Sequence, residues 1–577
     1  MPFSFSDLRK LQLGGFKDTA ALLGVAGGAL ATNPAIAANA YTMAASIGAA
    51  SAAMGGAWLG RRLLDTMQFD VLEGGTLKIN SSEPPPITAD GVHLGYIVDS
   101  GKPLVIPLEA WMRHAMIVGQ SGVGKTVLGN WVLAQQIGRG GGLVWIDGKL
   151  DPDNITMLRQ ACMWAGRPDD LLIINPGDPS NSHEYNPILS GDPDEVASRC
   201  ISLIPATESD AGADHYRQSA MQALTTLFNA VQSCGLAYSF ADMFVLLTNA
   251  QAMSWLEQRV PYGSDAQKQL SLFIHNYKRP AKNSSGGPEL IDPAKLKDTL
   301  GGIAGRLFQF GTGKFGKVLN SYSPDVDLVR DLRANKIIYV ALPTMGKNET
   351  ATSFGKMCIG DLRTAISKIQ DLPKGQRPWP PTQLFADEAG SYVTMSWSRM
   401  IEQARSAHIS LLPAFQTRAN METLGEELRA MISGNTLTKA FFKPGEPDTA
   451  DWMADMIGEE FATVYSITAN RGVGASRSAH VSTRPGGWTD SDASAFSEST
   501  QLQHKITGTE LQGLGQGEAI ITFDGDKVYH VRVPMIRFDP SLALPGSDPI
   551  NRHRRKRAKG LQLAENVDRW IGRGAES

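Results

Sequence analysis

The chain has 577 residues, 42% of them hydrophobic, with 55 Lys and Arg against 58 Asp and Glu and a net charge of −3. That length implies several domains and a sizeable core, and the charge excludes a polycationic coat, so any nucleic-acid contact has to be made by local patches or a pore. The four cysteines, Cys162, Cys200, Cys234 and Cys358, form no C-x-x-C pair and no zinc spacing with histidine, and read as buried thiols of a reducing compartment.

From Thr19 to Gly60 there is no charged residue. This is too long for the apolar core of a signal peptide. It accommodates two membrane helices of about 20 residues each, with Asn33-Pro34 at the turn. Arg9, Lys10 and Lys17 precede the stretch and Arg61 and Arg62 follow it, which puts both ends in the cytoplasm. Residues 1–65 are therefore expected to form an Ala/Gly-rich helical hairpin that anchors the chain in a membrane. A soluble hairpin is the competing reading, because Ala, Gly, Ser and Thr partition weakly into lipid. Gly24/Gly28 and Gly56/Gly60 are spaced for close helix packing in either setting.

After Asp65 the pattern "NSSEPPPITADGVHLGYIVDSGKPLVIPLEAWMRH" alternates apolar and polar residues between turn signals, as short strands do. The apolar run Ala115–Val118 then enters "GQSGVGKT", which meets the phosphate-loop pattern G-x-x-x-x-G-K-[ST]. Gly119, Gln120, Ser121, Gly122, Val123, Gly124, Lys125 and Thr126 are expected to hold ATP. The glycines let the backbone curl with its N–H groups toward the β-phosphate. Lys125 would reach the β- and γ-phosphates, the Thr126 hydroxyl would ligate Mg²⁺, and a helix from Lys125 to Ile137 would aim its positive end at the anion.

Next comes "GGLVWIDGKLD", a strand over Leu143–Ile146 ending in Asp147, then a helix around Asn154–Ala165 and a strand over Leu171–Asn175. This β-α-β rhythm predicts a parallel sheet covered by helices. From about Pro193 to Gly311 helical periodicity takes over. The sheet resumes at Lys336–Pro343, followed by a long helix over Thr350–Asp371. "QLFADEAG" then places Asp387 and Glu388 at the end of a buried strand. Downstream of a phosphate loop, Asp387 fits the Mg²⁺ shell and Glu388 the group that polarises the attacking water. "HISLLPAFQTR" is another buried strand, and Gln416 at its end is positioned to sense the γ-phosphate. Tyr465–Gly487 is Gly/Ser-rich and reads as an insertion before the final strands. The resulting expectation is an α/β fold. A P-loop nucleotide-binding domain at 66–190 and 321–545 is interrupted by an all-helical domain at 191–320 and followed by a basic tail at 546–577.

With these residues in order, the chain resembles the TraG/TraD-type coupling proteins of bacterial conjugation and type IV secretion, P-loop ATPases of the FtsK/HerA-like superfamily. The resemblance rests on "HAMIVGQSGVGKT", "EYNPI", "LFADEAG", "LLPAFQTR", "ISGNTLTKAFFK" and "ELQGLGQGEAIITFDGDKVYHVRVP", and runs from about residue 90 to 540. Family anchors are more strongly apolar than residues 19–60. The resemblance implies a homo-hexamer in the bacterial inner membrane, with a RecA-like motor domain in the cytoplasm that uses ATP and Mg²⁺. It implies a helical domain facing type IV secretion channel proteins and a central pore that receives relaxase-bound single-stranded DNA. It also implies that Arg405 acts as an arginine finger across a subunit boundary, with Arg418 as the rival residue.

The residues alone give only local hints of DNA: Lys314, Lys317, Arg330, Arg333, Lys439, Lys443 and the cluster "NRHRRKRAKG", Asn551–Gly560. Each taken singly reads first as solvated surface charge. Two other functions stay open. One is an FtsK/HerA-like translocase of duplex DNA. The other is a docking receptor for substrates or adaptors whose assembly ATP controls.

Overall fold

The short apolar runs of the sequence form strands, and their residue types say how deeply. In chain order the strands are β1 (Gly91–Ile97), β2 (Pro103–Pro107), β3 (Ala115–Val118), β4 (Leu143–Asp147), β5 (Leu171–Ile174), β6 (Lys278–Arg279) and β7 (Leu290–Ile291). They continue with β8 (Ile337–Ala341), β9 (Thr382–Ala386), β10 (Ile409–Phe415), β11 (Thr438–Phe442), β12 (Glu459–Gly474), β13 (Thr489–His504), β14 (Glu518–Phe523) and β15 (Lys527–Arg532). This computed structural model describes residues 85–204, 211–279, 290–474, 489–542 and 558–570. The expected membrane hairpin, residues 1–65, lies outside the described residues, as does most of the Asn551–Gly560 cluster. Among the described residues no helix is long and apolar enough to cross a membrane.

Eleven strands make one sheet, in the order β2-β1-β15-β14-β11-β3-β10-β9-β4-β8-β5. Neighbours from β11 to β5 are all parallel. The remaining four strands extend the sheet antiparallel. Strands β3, β4, β8, β9 and β10 are buried at every residue, because helices cover both faces; this is why they read as mainly apolar runs, with polar breaks at Thr382, Gln383 and Ser410. β2 alternates exposed and buried residues and carries a proline at each end, as an edge strand can.

Between β5 and β8 the chain leaves the sheet and forms helices. The main ones are Pro193–Ile201, Ala211–Ser233, Phe240–Thr248, Ala250–Arg259, Asp265–His275 and Pro293–Gly311. Their starts are chemically set. Asp192 and Glu195 cap the first reciprocally, Ser239 and Asp242 do the same for the third, and Ser264 and Asp292 cap two more. One hydrophobic core runs from Val144, Ile146 and Leu384 on one sheet face into Leu224, Phe228, Phe240 and Leu307 of these helices. The other face buries Trp145 and Phe385 beneath Leu133 and Ile137 of the helix Lys125–Gly138.

Three features differ from the expected organisation. The long helix begins at Thr344, six residues before the predicted Thr350, and ends at Gln370. The Gly/Ser-rich stretch begins inside β12, which pairs only with β13 over sixteen registers, from Glu459 opposite His504 to Gly474 opposite Thr489. Finally, the described part of the basic tail, 558–570, returns to the helical region. There Leu561 N–H donates to the Ala237 carbonyl at 2.8 Å, and the Trp570 ring meets Trp255 edge-on at 5.5 Å.

Candidate functional site

The phosphate loop turns off the end of β3, which lies between β10 and β11. The chain leaves β3 toward one side of the sheet and returns to its other side, so a crevice opens at the carboxyl ends of these strands, where α/β sheets bind ligands. Gly122 and Gly124 have φ of 79° and 120°, conformations that side chains rarely adopt. A methyl group on Gly119 would meet Phe442 Cβ at 2.6 Å, so the loop passes β11 only with glycine there. Its backbone is braced from three strands: Gly119 N–H donates to Phe415 O (3.2 Å), Gln120 N–H to Lys443 O (3.0 Å), and Gly517 N–H to Val123 O (2.9 Å).

Lys125 opens the helix that follows. Its ammonium donates to the carbonyls of Gly119 (2.6 Å) and Gln120 (2.8 Å), folding over the loop. Burial, and then the nearby Lys149 cation, bring its pKa down to about 8 against the opposing pull of Glu388 and Asp387. No side chain caps this helix at Gly124, so its first N–H groups remain for an anion. Thr126 is half-buried in the first turn, and Ser121 and Gly122 are exposed at the loop tip.

At the end of β9, Asp387 is fully buried. Its Oδ1 accepts from the Glu388 N–H at 3.0 Å, and its Oδ2 is buried with no hydrogen-bond partner. Burial pushes its pKa up to about 6. Lys149 opposes that shift, while Glu388 and Asp147 add to it. Glu388 takes a left-handed backbone, φ 57°, and its Oε1 accepts from Gln416 Nε2 and pairs with Lys149 Nζ at 2.9 Å. The structure thus brings Lys125, Asp387, Glu388 and Gln416 together at the carboxyl ends of the central strands β3, β9 and β10. Asp387 Oδ2, buried beside the loop, accepts no hydrogen bond among the described residues and has only the Lys149 ammonium 3.9 Å away, so it fits a carboxylate ligand for Mg²⁺.

Arg405 is elsewhere. It is exposed in the turn Ala404–Ala407, which precedes β10, whereas Gln416 follows β10. Seven residues of strand separate the two by roughly 20 Å, so Arg405 does not reach its own chain's loop. Arg418 lies on the loop side, but its Nε pairs with Glu422 at 2.7 Å. Of the cations considered for DNA, Arg330 pairs with Asp331 at 2.6 Å, and the Lys439 ammonium donates to the Thr436 carbonyl at 2.7 Å. Lys314 and Lys317 are exposed.

Two contributors are not apparent from the motifs. Lys149, in the "DGKLD" turn after β4, reaches both carboxylates; burial opposes its charge, yet Asp387, Glu388 and Asp147 hold its pKa above the ordinary lysine value. Gln516 donates from Nε2 to the Gly122 carbonyl at 3.3 Å. Its signal was the "GLGQGE" run before β14, whose glycines let this segment approach the loop: a methyl group on Gly124 would lie 3.2 Å from Gly517 Cα.

Residues 381–503 match the family described as the TraM recognition site of TraD and TraG. The type 4 coupling protein DotL of Legionella pneumophila is 20% identical over 526 residues, which cover 83% of this chain; the chain spans 65% of that relative. The unbound bacterial conjugative coupling protein TrwB has the same fold at 17% identity, with a TM-score of 0.52 over 81% of this chain and 92% of that one. The plasmid coupling protein TrwB in complex with ADP and Mg²⁺ matches equally, with a TM-score of 0.52 at 17% identity over 81% and 93%. Matched segment, curated relative and fold bear out the motif-based resemblance to the TraG/TraD-type coupling proteins.

Proposed function

We propose that the chain is an ATP-hydrolysing coupling protein of conjugation or type IV secretion, anchored at the inner membrane through residues 1–65 and active as a hexamer. It receives relaxase-bound single-stranded DNA, hands it to the secretion channel, and is stimulated by that DNA. The observation that carries the reading is the convergence of Lys125, Asp387, Glu388 and Gln416 at the carboxyl ends of central strands around a glycine-built loop. Solved TrwB structures hold ADP with Mg²⁺ and a non-hydrolysable ATP analogue, which favours the same ligands here.

In this reading the loop N–H groups and Lys125 bind the β- and γ-phosphates. Thr126 and Asp387 hold Mg²⁺, which supplies positive charge where the γ-phosphoryl group transfers. Glu388 takes the proton of the attacking water, and Gln416 reports the γ-phosphate to β10. The family matched at residues 381–503 is named for recognition of TraM, so a protein partner that docks on this segment also fits the reading.

The test is ATP turnover by the full-length protein, alone and with single-stranded or duplex DNA. Single strands should stimulate more than duplex, and Lys125→Ala should lower turnover by a factor of about 10² or more by removing the cation nearest the γ-phosphate. Undiminished turnover in folded Lys125→Ala protein overturns the ATPase assignment. A preference for duplex would move the reading to an FtsK/HerA-like translocase. Indifference to all DNA would move it to a docking receptor.

A further inference from the structure

The turn after β4 is built to deliver a cation to the two site carboxylates. Asp147 Oδ1 accepts the N–H groups of Lys149 (2.8 Å) and Leu150 (3.3 Å), closing the turn, and Leu150 takes a left-handed backbone, φ 55°. Gly148 lies directly against the glutamate: a methyl group there would come within 2.8 Å of Glu388 Cβ and 3.1 Å of Asp387 O. The other oxygen of Asp147 is already satisfied by Asn154 Nδ2 (2.9 Å) and the Tyr339 hydroxyl (2.5 Å). Lys149 is therefore free of that carboxylate and reaches on to Glu388 Oε1 at 2.9 Å and Asp387 Oδ2 at 3.9 Å.

The glutamate end is equally specific. Left-handed backbone at a non-glycine residue is strained and persists where the surroundings hold it. Here they do, since Gln416 Nε2 and Lys149 Nζ both engage Oε1. Glu388 Oε2 accepts no hydrogen bond among the described residues.

We propose that Lys149 is a positioning residue for ATP hydrolysis: with Gln416 it fixes Oε1 of Glu388 and so presents Oε2 to the attacking water. This rests on the ATPase reading above. In the step it serves, the water oxygen bonds to the γ-phosphorus and the bond to the β-phosphate oxygen breaks, its electron pair leaving on ADP. The water proton passes to Oε2. Lys149 acts through Glu388 and touches no reacting atom.

Two measurements on the full-length chain test this. In steady-state turnover, Lys149→Met should lower kcat by about 10- to 100-fold, the scale of a misplaced catalytic group, with KM for ATP changed by less than about threefold. Lys149→Arg, which keeps a cation at that reach, should restore most of the loss. The second measurement needs no turnover. In nucleotide-free protein, the drop in melting temperature caused by Lys149→Met should shrink by about half or more when Glu388→Gln is already present, because contacting residues are non-additive.

Additive melting shifts overturn the proposal. So does an unchanged kcat, and so does a Lys149→Met variant that loses ATP affinity as Lys125→Ala does, since Lys149 would then be a phosphate ligand. If the wild-type chain itself hydrolyses no ATP, the function proposed above fails. The melting cycle then still decides whether Lys149 holds Glu388.

Discussion

At the level of single residues, His114 shows how β3 and β10, the strands that lead to the phosphate loop and to Gln416, are tied together away from the site. It sits just before β3 with a left-handed backbone, φ 67°, and is 3% exposed. Its Nδ1 accepts the Leu411 N–H at 3.0 Å, so the hydrogen of the neutral ring resides on Nε2, which donates to the Ile401 carbonyl at 2.9 Å. Burial pushes its pKa down to about 4; the Ile401 carbonyl pulls it back up and the Arg405 cation lowers it further. A folded-state pKa below the unfolded value of 6.5 means that the neutral ring stabilises the fold above pH 6.5. That contribution is lost as the pH falls toward 4, by at most about 3 kcal/mol. His114→Gln should therefore be less stable than wild type at pH 7, and the gap should close on acidification, as read by thermal unfolding at each pH. A constant gap would refute the assignment. The same scale shows what a sequence conceals. Lys125, Asp387, Glu388 and Gln416 are legible because each ends an apolar run in a fixed order. Lys149 is not, because a lysine in a turn resembles a surface charge, and its partners Asp387 and Glu388 arrive from a strand far downstream.

Among elements, the segment 558–570 has the clearest consequence. Asp242 is fully buried and accepts four hydrogen bonds: Oδ2 takes the N–H and hydroxyl of Ser239, and Oδ1 takes the N–H groups of Leu563 and Ala564. One carboxylate thus caps a helix and clamps the returning chain. Leu561, Leu563 and Trp570 are buried by that docking. Losing three such side chains costs on the order of 5 kcal/mol as an upper figure. Removal of residues 558–577 should make the helices between Ala211 and His275 cleave faster in limited proteolysis, and Asp242→Ala should reproduce part of the effect. Unchanged cleavage would mean that the segment adds nothing to the helical region. This docking was not legible: Leu561, Leu563 and Trp570 are too few to fix one period, and the basic run before them dominates the composition. The strands β3, β4, β8, β9 and β10 were legible for the opposite reason, since burial on both faces leaves mainly apolar runs. Among the described residues β12 and β13 pair with each other alone, and their Ala, Ser, Thr and Gly content gave no such run.

For the whole molecule, the position of Arg405 defines an assembly question. The residue is exposed, forms no ion pair among the described residues, and lies across the sheet from its own loop. If it meets a γ-phosphate, that phosphate belongs to another copy of the chain. An arginine finger supplied in trans is worth about 10³ to 10⁵ in rate. Lys125→Ala and Arg405→Ala proteins should each be inactive, and mixing them before assembly should restore part of the turnover, because some junctions pair an intact loop with an intact arginine. A mixture that co-assembles by size yet stays inactive would remove Arg405 from that role.

The bracing of the phosphate loop also bears on how the protein is made. Gly122 and Gln516, in contact here, are 394 residues apart in the chain, and the Gly517 N–H holds the Val123 carbonyl. A ribosome that has finished the loop must still synthesise β10, β11 and the whole helical region before the loop gains its supports. Nucleotide therefore cannot serve as an early folding ligand for the emerging chain. The apolar strands β3 and β4 wait without their sheet partners until β10 and β8 are made, at residues 409 and 337, and contacts of such long sequence separation form slowly. Synthesis in the cell is the stage at which this chain most needs protection from aggregation.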